Sequence, residues 1–477
     1  MKQSAKTLKQ MSSVQLSLNL QKSPPNDSYR HELYGLLCQD LSFHDQDSSY
    51  AAHNFHSFPA KFPPQLPRKF IDALTLPGEI VLDPMSGSGT TILEAQLAGR
   101  RAIGIDIDPL AILIAQTKMN YYDLGQLVQI GDAIVPRARK LLEDHYQELS
   151  KSFQAFWDEE TRGFIDHWFT PDIQLELFAL RTQIATISEI SLRKFFELTL
   201  SAIIITKTGG VSLALDLAHT RPHRAKLIYT KGGEVLEGAE FLSNPPPHLQ
   251  YATKTLRSVF DEFERRYQNN LRSITSSQQH LANASILFGN AQSLPLQDGS
   301  VDLIITSPPY ASNAIDYMRA HKFSLVWLGY RVGQLSRKRQ DYIGGEAITQ
   351  YPFEELPAYA SQVVEEIGQL DVQKGQVLRR YYSEMAGCLR ELFRVLKPGK
   401  AAVVVVGSSI MRNRDTETHI CLAEIGQALG FEVPKIGVRR LDRDRRMLPT
   451  GQKVNRESQI QQRMHEEYVI GFYKPNK

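Results

Sequence analysis

Cysteine is scarce in this 477-residue chain and offers no covalent framework. The three cysteines, Cys38, Cys388 and Cys421, lie far apart, form no CxxC pair and lack the spacing of zinc ligands. An odd number also argues against the disulfide scaffolds of small secreted proteins. We therefore expect a reducing, cytoplasmic setting.

Long apolar runs and a strong charge imbalance are absent as well. No apolar stretch approaches the roughly 20 residues that span a bilayer, and no sustained apolar segment follows Lys2, Lys6 and Lys9. Neither a membrane span nor a signal peptide is predicted. The formal net charge of +3 permits an anionic partner but does not require one.

Changes in composition along the chain predict its domain organisation. Residues 1–45 are rich in Ser, Gln, Asn and Lys, which predicts a flexible extension. Alternating strand and helix patterns over 46–120 and 285–477 predict an α/β fold with a doubly wound, mostly parallel sheet. A largely helical region at 121–284 and a smaller one at 330–377 are interpreted as insertions. Insertions on such folds usually lie at strand ends, near the ligand site.

The segment DPMSGSGTT, residues 83–91, follows a predicted strand at 80–82 and opens a predicted helix at 90–98. Glycines in such a turn let the backbone approach a ligand closely. Asp106 ends the next strand, where it can accept hydrogen bonds from ribose hydroxyls. Ile92 occupies the position of the third glycine in the dinucleotide fingerprint, which disfavours a dehydrogenase.

This glycine turn favours a nucleoside cofactor without a pyrophosphate. S-adenosylmethionine is such a molecule, and its carboxylate and amine can meet backbone N–H groups and Asp83. Two alternatives stay open at this point. The turn could be an unliganded connection between strand and helix, or it could bind NAD in an oxidoreductase.

A second turn, TSPPY at 306–310, follows the apolar run at 301–305. Two prolines end a strand because neither donates a ladder hydrogen bond. Tyr310 supplies a ring for a flipped-out base, while the Ser307 hydroxyl and the Pro308 carbonyl can accept from one exocyclic amine. Such acceptors favour a pyramidal amine aligned for attack on a methyl group. The alternative is a plain strand end with Tyr310 in the core.

Three blocks together resemble the amino-methyltransferases of DNA, which transfer methyl from S-adenosylmethionine to cytosine N4 or adenine N6. They are FPAKFPP at 58–64, DPMSGSGTTILEA at 83–95 with GIDIDP at 104–109, and VDLIITSPPY at 301–310. The resemblance implies a catalytic turn of Ser307, Pro308, Pro309 and Tyr310. It also implies cofactor-binding roles for Phe62, Asp83, Pro84, Gly87, Gly89, Thr90 and Asp106.

The resemblance further implies a contact between Asn290 and the cofactor's adenine ring. Asn290 lies in Gly-Asn-Ala, where the family often has Gly-Asp-Ala, and Met85 stands where the family often has Phe. Asp132 in IGDAIVP is a rival for the adenine contact. A turn that begins with serine, at Ser307, is more typical of the cytosine N4 enzymes, whereas aspartate is more typical of the adenine N6 enzymes. Cytosine N4 is thus predicted, and adenine N6 or an RNA substrate stays open.

The order of the two halves resembles enzymes whose target-recognition region lies between them, so residues 121–284 are the candidate region. Basic side chains suited to phosphate contact, which fixes position rather than sequence, occur at two places. They are Arg221, Arg224 and Lys226 in HTRPHRAK, and Arg439 and Arg440 near the C-terminus. The alternatives are a solvated basic loop and a surface salt-bridge network.

Other chemistries are disfavoured. A carbon-5 cytosine methyltransferase uses a cysteine that typically follows a proline, and no cysteine here does. His53 and His56 lack a metal-ligand set, so no metal is predicted. A non-catalytic, methyltransferase-like binding protein is a further alternative that the two intact turns disfavour. The expected partner is double-stranded DNA in the cytoplasm and nucleoid, with a cognate restriction endonuclease as a second candidate.

Overall fold

The computed structural model describes residues 28–58, 61–206, 210–216, 222–246, 249–275, 283–311, 317–345, 351–441 and 466–476. The helices are α1 Ser28–Leu37, α2 Gln65–Leu74, α3 Thr90–Leu97, α4 Pro109–Met119, α5 Leu124–Asp144, α6 Tyr146–Phe156, α7 Glu159–Trp168, α8 Pro171–Ala185, α9 Ile190–Ile204, α10 Glu240–Ser243, α11 Val259–Thr275, α12 Tyr317–Leu325, α13 Val332–Lys338, α14 Ala358–Leu370, α15 Val372–Val395 and α16 Thr418–Ala428. The strands are β1 Ile80–Asp83, β2 Arg101–Asp106, β3 Ala214–Asp216, β4 His223–Arg224, β5 Leu227–Tyr229, β6 Val235–Glu237, β7 Thr253–Thr255, β8 Ala284–Phe288, β9 Val301–Thr306, β10 Leu396–Gly407, β11 Ile410–Met411, β12 Arg414–Asp415, β13 Ile436–Arg440 and β14 Glu466–Tyr473.

Seven of these strands form the central sheet, in the order β13-β14-β10-β9-β1-β2-β8. Neighbouring strands from β10 to β8 are parallel, whereas β14 runs antiparallel to both β10 and β13. Every residue of β9 is buried, as a parallel strand covered on both faces requires. The predicted α/β fold with a mostly parallel sheet is confirmed.

Helices cover both faces of this sheet because strand side chains alternate between them. Val81 of β1 packs into a core with Ile92 of α3, while its neighbour Leu82 packs into a second core with Leu389 of α15. The sheet is therefore doubly wound. This arrangement brings the carboxyl ends of β1, β2 and β9 to one edge, where the two predicted turns emerge.

The region between β2 and β8 is largely helical, with α5 to α9 and α11 around short strands. It packs on the sheet domain, since the rings of Phe55 and Phe195 lie 6.3 Å apart and Lys194 Nζ donates to Gln116 Oε1 at 2.8 Å. An aromatic cluster extends the contact to the segment after α12, where the Trp157 and Trp327 ring centroids lie 5.4 Å apart.

The predicted flexible extension is too long at its C-terminal end. From Ser28 the chain forms α1, whose Leu33 and Leu37 are buried against β14 near Gly471. Arg30 donates to Glu432 at 2.6 Å and ties the helix to the domain. The polar composition hid a short leucine pattern that buries one face of the helix.

Among the residues that the structure describes, no helix is long and apolar enough to cross a membrane. The same residues contain no group of three or more His, Cys, Asp or Glu side chains that could hold a metal ion. His53 contacts Glu94 at 2.8 Å and His56 contacts the Ser201 hydroxyl at 2.9 Å, and both rings are buried. These histidines pack the segment before α2 against its neighbours.

Candidate active site

An open cleft lies at the carboxyl ends of β1, β2 and β9, with about 910 Å³ of empty volume including its mouth. Ligands of doubly wound sheets bind at this edge. Most of the predicted cofactor residues line it, namely Phe62, Asp83, Pro84, Gly87, Thr90, Asp106 and Asn290. From the catalytic turn, Ser307 and Pro309 also line the cleft.

The glycine turn adopts a backbone that other residues rarely reach. Gly87 has φ of +49° and Gly89 has φ of +76°. A Cβ atom on Gly87 would lie 3.1 Å from the Phe58 ring, and one on Gly89 would lie 3.1 Å from the Ala115 Cβ. Gly87 thus faces the cleft, whereas Gly89 lets α3 begin close to α4. The contact predicted between Gly89 and the cofactor stays a prediction.

Asp83 joins the two turns. Its Oδ1 atom accepts from the Thr306 hydroxyl at 2.7 Å and from the Met85 backbone N–H at 3.2 Å. Burial raises the pKa of this carboxyl to about 6, although the hydrogen bonds oppose the shift. The side chain that closes β1 is therefore bonded to the last residue of β9, so the turns cannot shift independently.

Asp106 has the most strongly shifted carboxyl in the cleft. Its oxygens accept from the backbone N–H groups of Gly87 at 2.7 Å and Asp108 at 2.9 Å. Burial and the nearby charge of Asp108 raise the pKa of Asp106 to about 7. Although burial opposes it, a 2.6 Å contact with His321 Nδ1 helps to hold the pKa of Asp108 below its usual value. Hydrogen-bond donors on a ligand, such as ribose hydroxyls, would favour the ionised form of Asp106.

Aromatic side chains form another wall, and sequence reasoning missed part of it. The rings of Phe58 and Tyr317 stack with centroids 5.7 Å apart, and both line the cleft. Phe58 lies inside the FPAKFPP block, which was a usable signal. Tyr317 begins α12, and nothing in its local sequence distinguishes it from a core residue.

A loop of the smaller insertion also reaches the cleft. Asp341, Tyr342 and Ile343 line it opposite the glycine turn. Helix α15 anchors this loop, because Glu384 accepts from the Gly344 backbone N–H at 2.6 Å and Arg380 donates to the Gln340 carbonyl at 3.0 Å. The stretch SRKRQDYIGGE is visible in the sequence, but its destination depends on the packing of α15.

The residues of the Pro-Pro turn lie in different surroundings. Ser307 and Pro309 face the cleft, whereas Pro308 is buried. The Tyr310 hydroxyl donates to Glu467 Oε1 at 2.8 Å on β14. Burial and the Glu467 charge raise the pKa of Tyr310 well above its usual value, so the phenol stays neutral. The turn thus faces the cleft through Ser307 and Pro309 and is tied to β14 through the Tyr310 hydroxyl.

The two candidates for the adenine contact separate clearly. Asn290 lines the cleft, where its side chain also accepts from the Gln292 backbone N–H at 2.9 Å. Asp132 lies instead within α5 and accepts from the Tyr267 hydroxyl at 3.3 Å. The expectation that Asp132 could serve the cofactor was wrong, because its segment continues a helix of the inserted region rather than ending a strand.

The basic candidates also differ in their surroundings. Arg439 is buried and pairs with Glu467, so the prediction that it contacts phosphate was wrong. Its side chain points inward because alternate residues of β13 face the core. Arg224 is bonded to both carboxylate oxygens of Glu237, at 2.6 and 2.9 Å, while Lys226 and Arg440 are exposed. Arg221 lies outside the described residues.

The chain is similar in sequence to known DNA methyltransferases. A family model described as DNA methylase matches residues 3–117. The Type II methyltransferase M.MvaI of Kocuria varians is 23% identical over 409 residues, which cover 81% of this chain and 83% of the relative. M.MjaII of Methanocaldococcus jannaschii is 37% identical over 358 residues, covering 60% and 64%. M.BsoBI of Geobacillus stearothermophilus is 23% identical over 438 residues, covering 83% and 82%.

These matches support the N4-cytosine/N6-adenine DNA methyltransferase family for this chain. S-adenosylmethionine is the cofactor of this methyltransferase. The cleft fits that molecule on its own evidence. The hydroxyls of Ser86 and Ser88 are buried with no hydrogen-bond partner among the described residues, and both line the cleft beside Asp83 and Asp106. An ammonium group and vicinal hydroxyls on one ligand match such a set of acceptors.

The methyltransferase offers no cysteine chemistry at this site. Cys388 and Cys421 are buried, and burial raises the pKa of Cys421 to about 12. A thiol in that state is a poor nucleophile. Cys38 is exposed just after α1 and is not among the residues that line the cleft.

Proposed function

We propose that this chain transfers a methyl group from S-adenosylmethionine to the exocyclic N4 amine of cytosine in duplex DNA. The observation that carries the proposal is the position of the Ser307–Tyr310 turn. It opens into the same cleft as Asp83 and Asp106, and the Thr306–Asp83 hydrogen bond of 2.7 Å couples it to the glycine turn.

The turn supplies the acceptors for the target amine. As the amine nitrogen bonds to the methyl carbon, the bond between that carbon and sulfur breaks, and the amine releases one proton to solvent in the open cleft. When bound, S-adenosylmethionine supplies a methyl group made electrophilic by a positively charged sulfur. The Ser307 hydroxyl and the Pro308 carbonyl accept hydrogen bonds from the two N–H groups of the target amine. Those bonds favour a pyramidal nitrogen with an available lone pair, and Pro309 keeps the acceptors in place before the base arrives.

The target base must leave the duplex to reach this turn, because an exocyclic amine is inaccessible inside the stack. Tyr310 offers a ring on which the flipped base stacks. The first residue of the turn, Ser307, supports cytosine N4 over adenine N6 by resemblance to the cytosine enzymes. Adenine N6 is retained as the outcome that would correct the choice of base.

We also propose that residues 121–284 recognise the DNA target. Lys226, exposed within this region, and Arg440, exposed on β13, are our candidates for phosphate contact. Arg224 would have to break its ion pair with Glu237 before it could contact a phosphate. Because three relatives are named as Type II methyltransferases, we propose a restriction endonuclease of the same specificity as a functional partner.

The test is direct. Full-length protein is incubated with unmodified genomic duplex DNA and S-adenosylmethionine that carries a deuterated methyl group. The DNA is then digested and its nucleosides are analysed by mass spectrometry. Labelled N4-methyl-deoxycytidine supports the proposal, and labelled N6-methyl-deoxyadenosine replaces the base. If RNA alone becomes labelled, the DNA assignment is overturned.

A binding protein without turnover is the alternative of another class. The Ser307→Ala variant separates the two, because it removes one acceptor without altering the exposed surface of the insertion. Loss of labelling with unchanged DNA binding supports an enzyme. No labelling by the wild-type protein on unmodified genomic DNA or RNA, together with intact binding to DNA, supports the binding protein.

A further inference from the structure

Three side chains form a continuous polar chain behind the catalytic turn. The Tyr310 hydroxyl donates to Glu467 Oε1 at 2.8 Å, and Arg439 Nη1 is bonded to the other oxygen of the same carboxylate, Oε2. Arg439 and Glu467 are paired across β13 and β14. Each partner of the ion pair has a side chain that is 13% exposed or less.

A pair this well buried is costly unless its geometry is good, because both charges lose most of their hydration. Solvated arginine and glutamate side chains would be cheaper if the antiparallel pair of β13 and β14 served only as a sheet edge. Val438 and Arg440, the neighbours of Arg439 on β13, are both exposed, as alternation along the strand requires. The inward position therefore holds a charge where an apolar residue would normally stand.

The tyrosine end of this chain needs orientation. The torsion that rotates a tyrosine ring about its Cβ–Cγ bond has a broad minimum, so packing alone holds the ring loosely. A hydroxyl anchored to an ionised acceptor restricts that rotation, and hydrogen bonds to charged groups are stronger than neutral ones. Glu467 also favours the neutral, donating form of the phenol, since its charge helps to raise the pKa of Tyr310.

We propose that Glu467 is a positioning residue that orients the Tyr310 ring for the target base, and that Arg439 holds Glu467 in place. This inference rests on the proposed methyl transfer and deepens it. It adds two residues from the strand pair β13 and β14 to the base side of the site, although neither lines the cofactor cleft. The polar chain then aligns the ring before a base stacks on it.

A double-mutant cycle on the full-length protein tests the coupling. The substitutions are Tyr310→Phe, which keeps the ring, and Glu467→Ala, alone and combined. Rates of methyl transfer are measured in single turnover on unmodified genomic DNA with saturating S-adenosylmethionine. Each single variant is expected to lose about tenfold in rate, and the double variant is expected to lose about tenfold as well. Affinity for S-adenosylmethionine is expected to be unchanged.

Conservative and control variants separate positioning from folding. Glu467→Gln keeps an oxygen that accepts from Tyr310, so it is expected to recover the rate to within about threefold of wild type. Glu466→Gln removes the adjacent carboxylate, which points to the opposite face of β14, and is expected to retain the wild-type rate. Arg439→Gln is expected to lose less than Glu467→Ala, because it only loosens the carboxylate.

The outcomes are distinct. If the losses from Tyr310→Phe and Glu467→Ala multiply to about a hundredfold, Glu467 does not act through the tyrosine and the inference is overturned. A Glu467→Ala variant with a lower melting temperature and an unchanged rate also overturns it. If the wild-type protein methylates no nucleic acid, the proposed function has failed. If the wild-type protein is active but the effects of the two substitutions are additive, only the positioning role of Glu467 has failed.

Discussion

The turns after β1 and β9 lie at the same edge of the sheet but are built from opposite kinds of residue. The first uses Gly87 and Gly89, both at positive φ, so that the backbone can bend tightly beside a ligand. The second uses Pro308 and Pro309, which restrict the backbone and leave its carbonyl groups as acceptors. In the proposed function, one turn gains access for a cofactor, and the other gains rigidity for aligning an amine.

The two turns differ in electrostatics as well. Buried carboxylates surround the glycine turn, where Asp83 and Asp106 have raised pKa values. The Pro-Pro turn instead presents neutral acceptors to the cleft and keeps its nearest described ion pair, Arg439 with Glu467, behind the tyrosine ring. The carboxyls beside the glycine turn therefore suit the hydrogen-bond donors of a polar ligand, whereas the Pro-Pro turn faces the cleft with neutral groups.

The largest expected effect removes an acceptor from the rigid turn. Ser307→Ala is expected to lower the rate of methyl transfer by about 10²-fold, comparable to the loss of one preorganised hydrogen bond at other active sites. Affinity for S-adenosylmethionine should stay within about threefold. The measurements are single-turnover kinetics and isothermal titration.

The matched control is Ser300→Ala, at the opposite end of the same strand. Its hydroxyl donates to the Gln297 carbonyl, away from the cleft. If Ser307→Ala and Ser300→Ala both keep the wild-type rate, the proposed role of Ser307 as an acceptor for the target amine is contradicted. A fall in both variants would indicate a general effect on β9.

Asp106, which ends β2 beside the glycine turn, gives the next effect, with opposite signs for binding and stability. Asp106→Asn is expected to weaken S-adenosylmethionine binding at least about tenfold, because a charge-assisted hydrogen bond to ribose is lost. In the ligand-free protein the raised pKa of Asp106, about 7 against an ordinary 3.8, destabilises the folded state once the pH rises through that range. At pH 8 the variant should therefore unfold at a higher temperature than the wild-type protein. Its free energy of unfolding should be larger by roughly 1–3 kcal/mol.

The sign of that effect provides its own control. Well below pH 3.8 the carboxyl is protonated in both the folded and the unfolded chain, so its ionisation no longer makes the stabilities of the two proteins differ. The gain of Asp106→Asn is expected to develop between about pH 4 and pH 7 and to level off above. A gain that is largest in acid, measured by thermal unfolding from pH 4 to 8, would refute the assignment of the shift to Asp106.

The smallest effect separates backbone strain from crowding in the glycine turn. Gly89→Ala is expected to destabilise the protein by about 1–3 kcal/mol, because φ is +76° and the new Cβ meets Ala115. Gly99→Ala has nearly the same φ, +75°, but no atom within 4 Å of the new Cβ. It should lose only about 1 kcal/mol, from backbone strain alone. Equal losses in urea unfolding would mean that close packing on α4 is not why Gly89 is needed.

Sequence reasoning reached much of the sheet and most of the cleft. The glycine turn, the Pro-Pro turn and Asp106 are predictable because each follows a short apolar strand in a parallel unit, and such strands present their carboxyl ends on one side. Sequence reasoning was less successful where a prediction depended on the direction in which a side chain points. Arg439 and Arg440 are adjacent and chemically identical, yet one is buried in an ion pair and the other is exposed.

The sequence by itself determined the class of chemistry. Glycines that can adopt positive φ and a Pro-Pro pair at a strand end are local features, so they shape the backbone in the same way whatever the rest of the chain packs against. Only the tertiary structure decided which distant groups serve those turns. Tyr310 meets Glu467 across 157 residues, and Asp83 meets Thr306 across 223. These contacts depend on the order of strands in the sheet, and strand order follows from how whole segments pack rather than from any one of them.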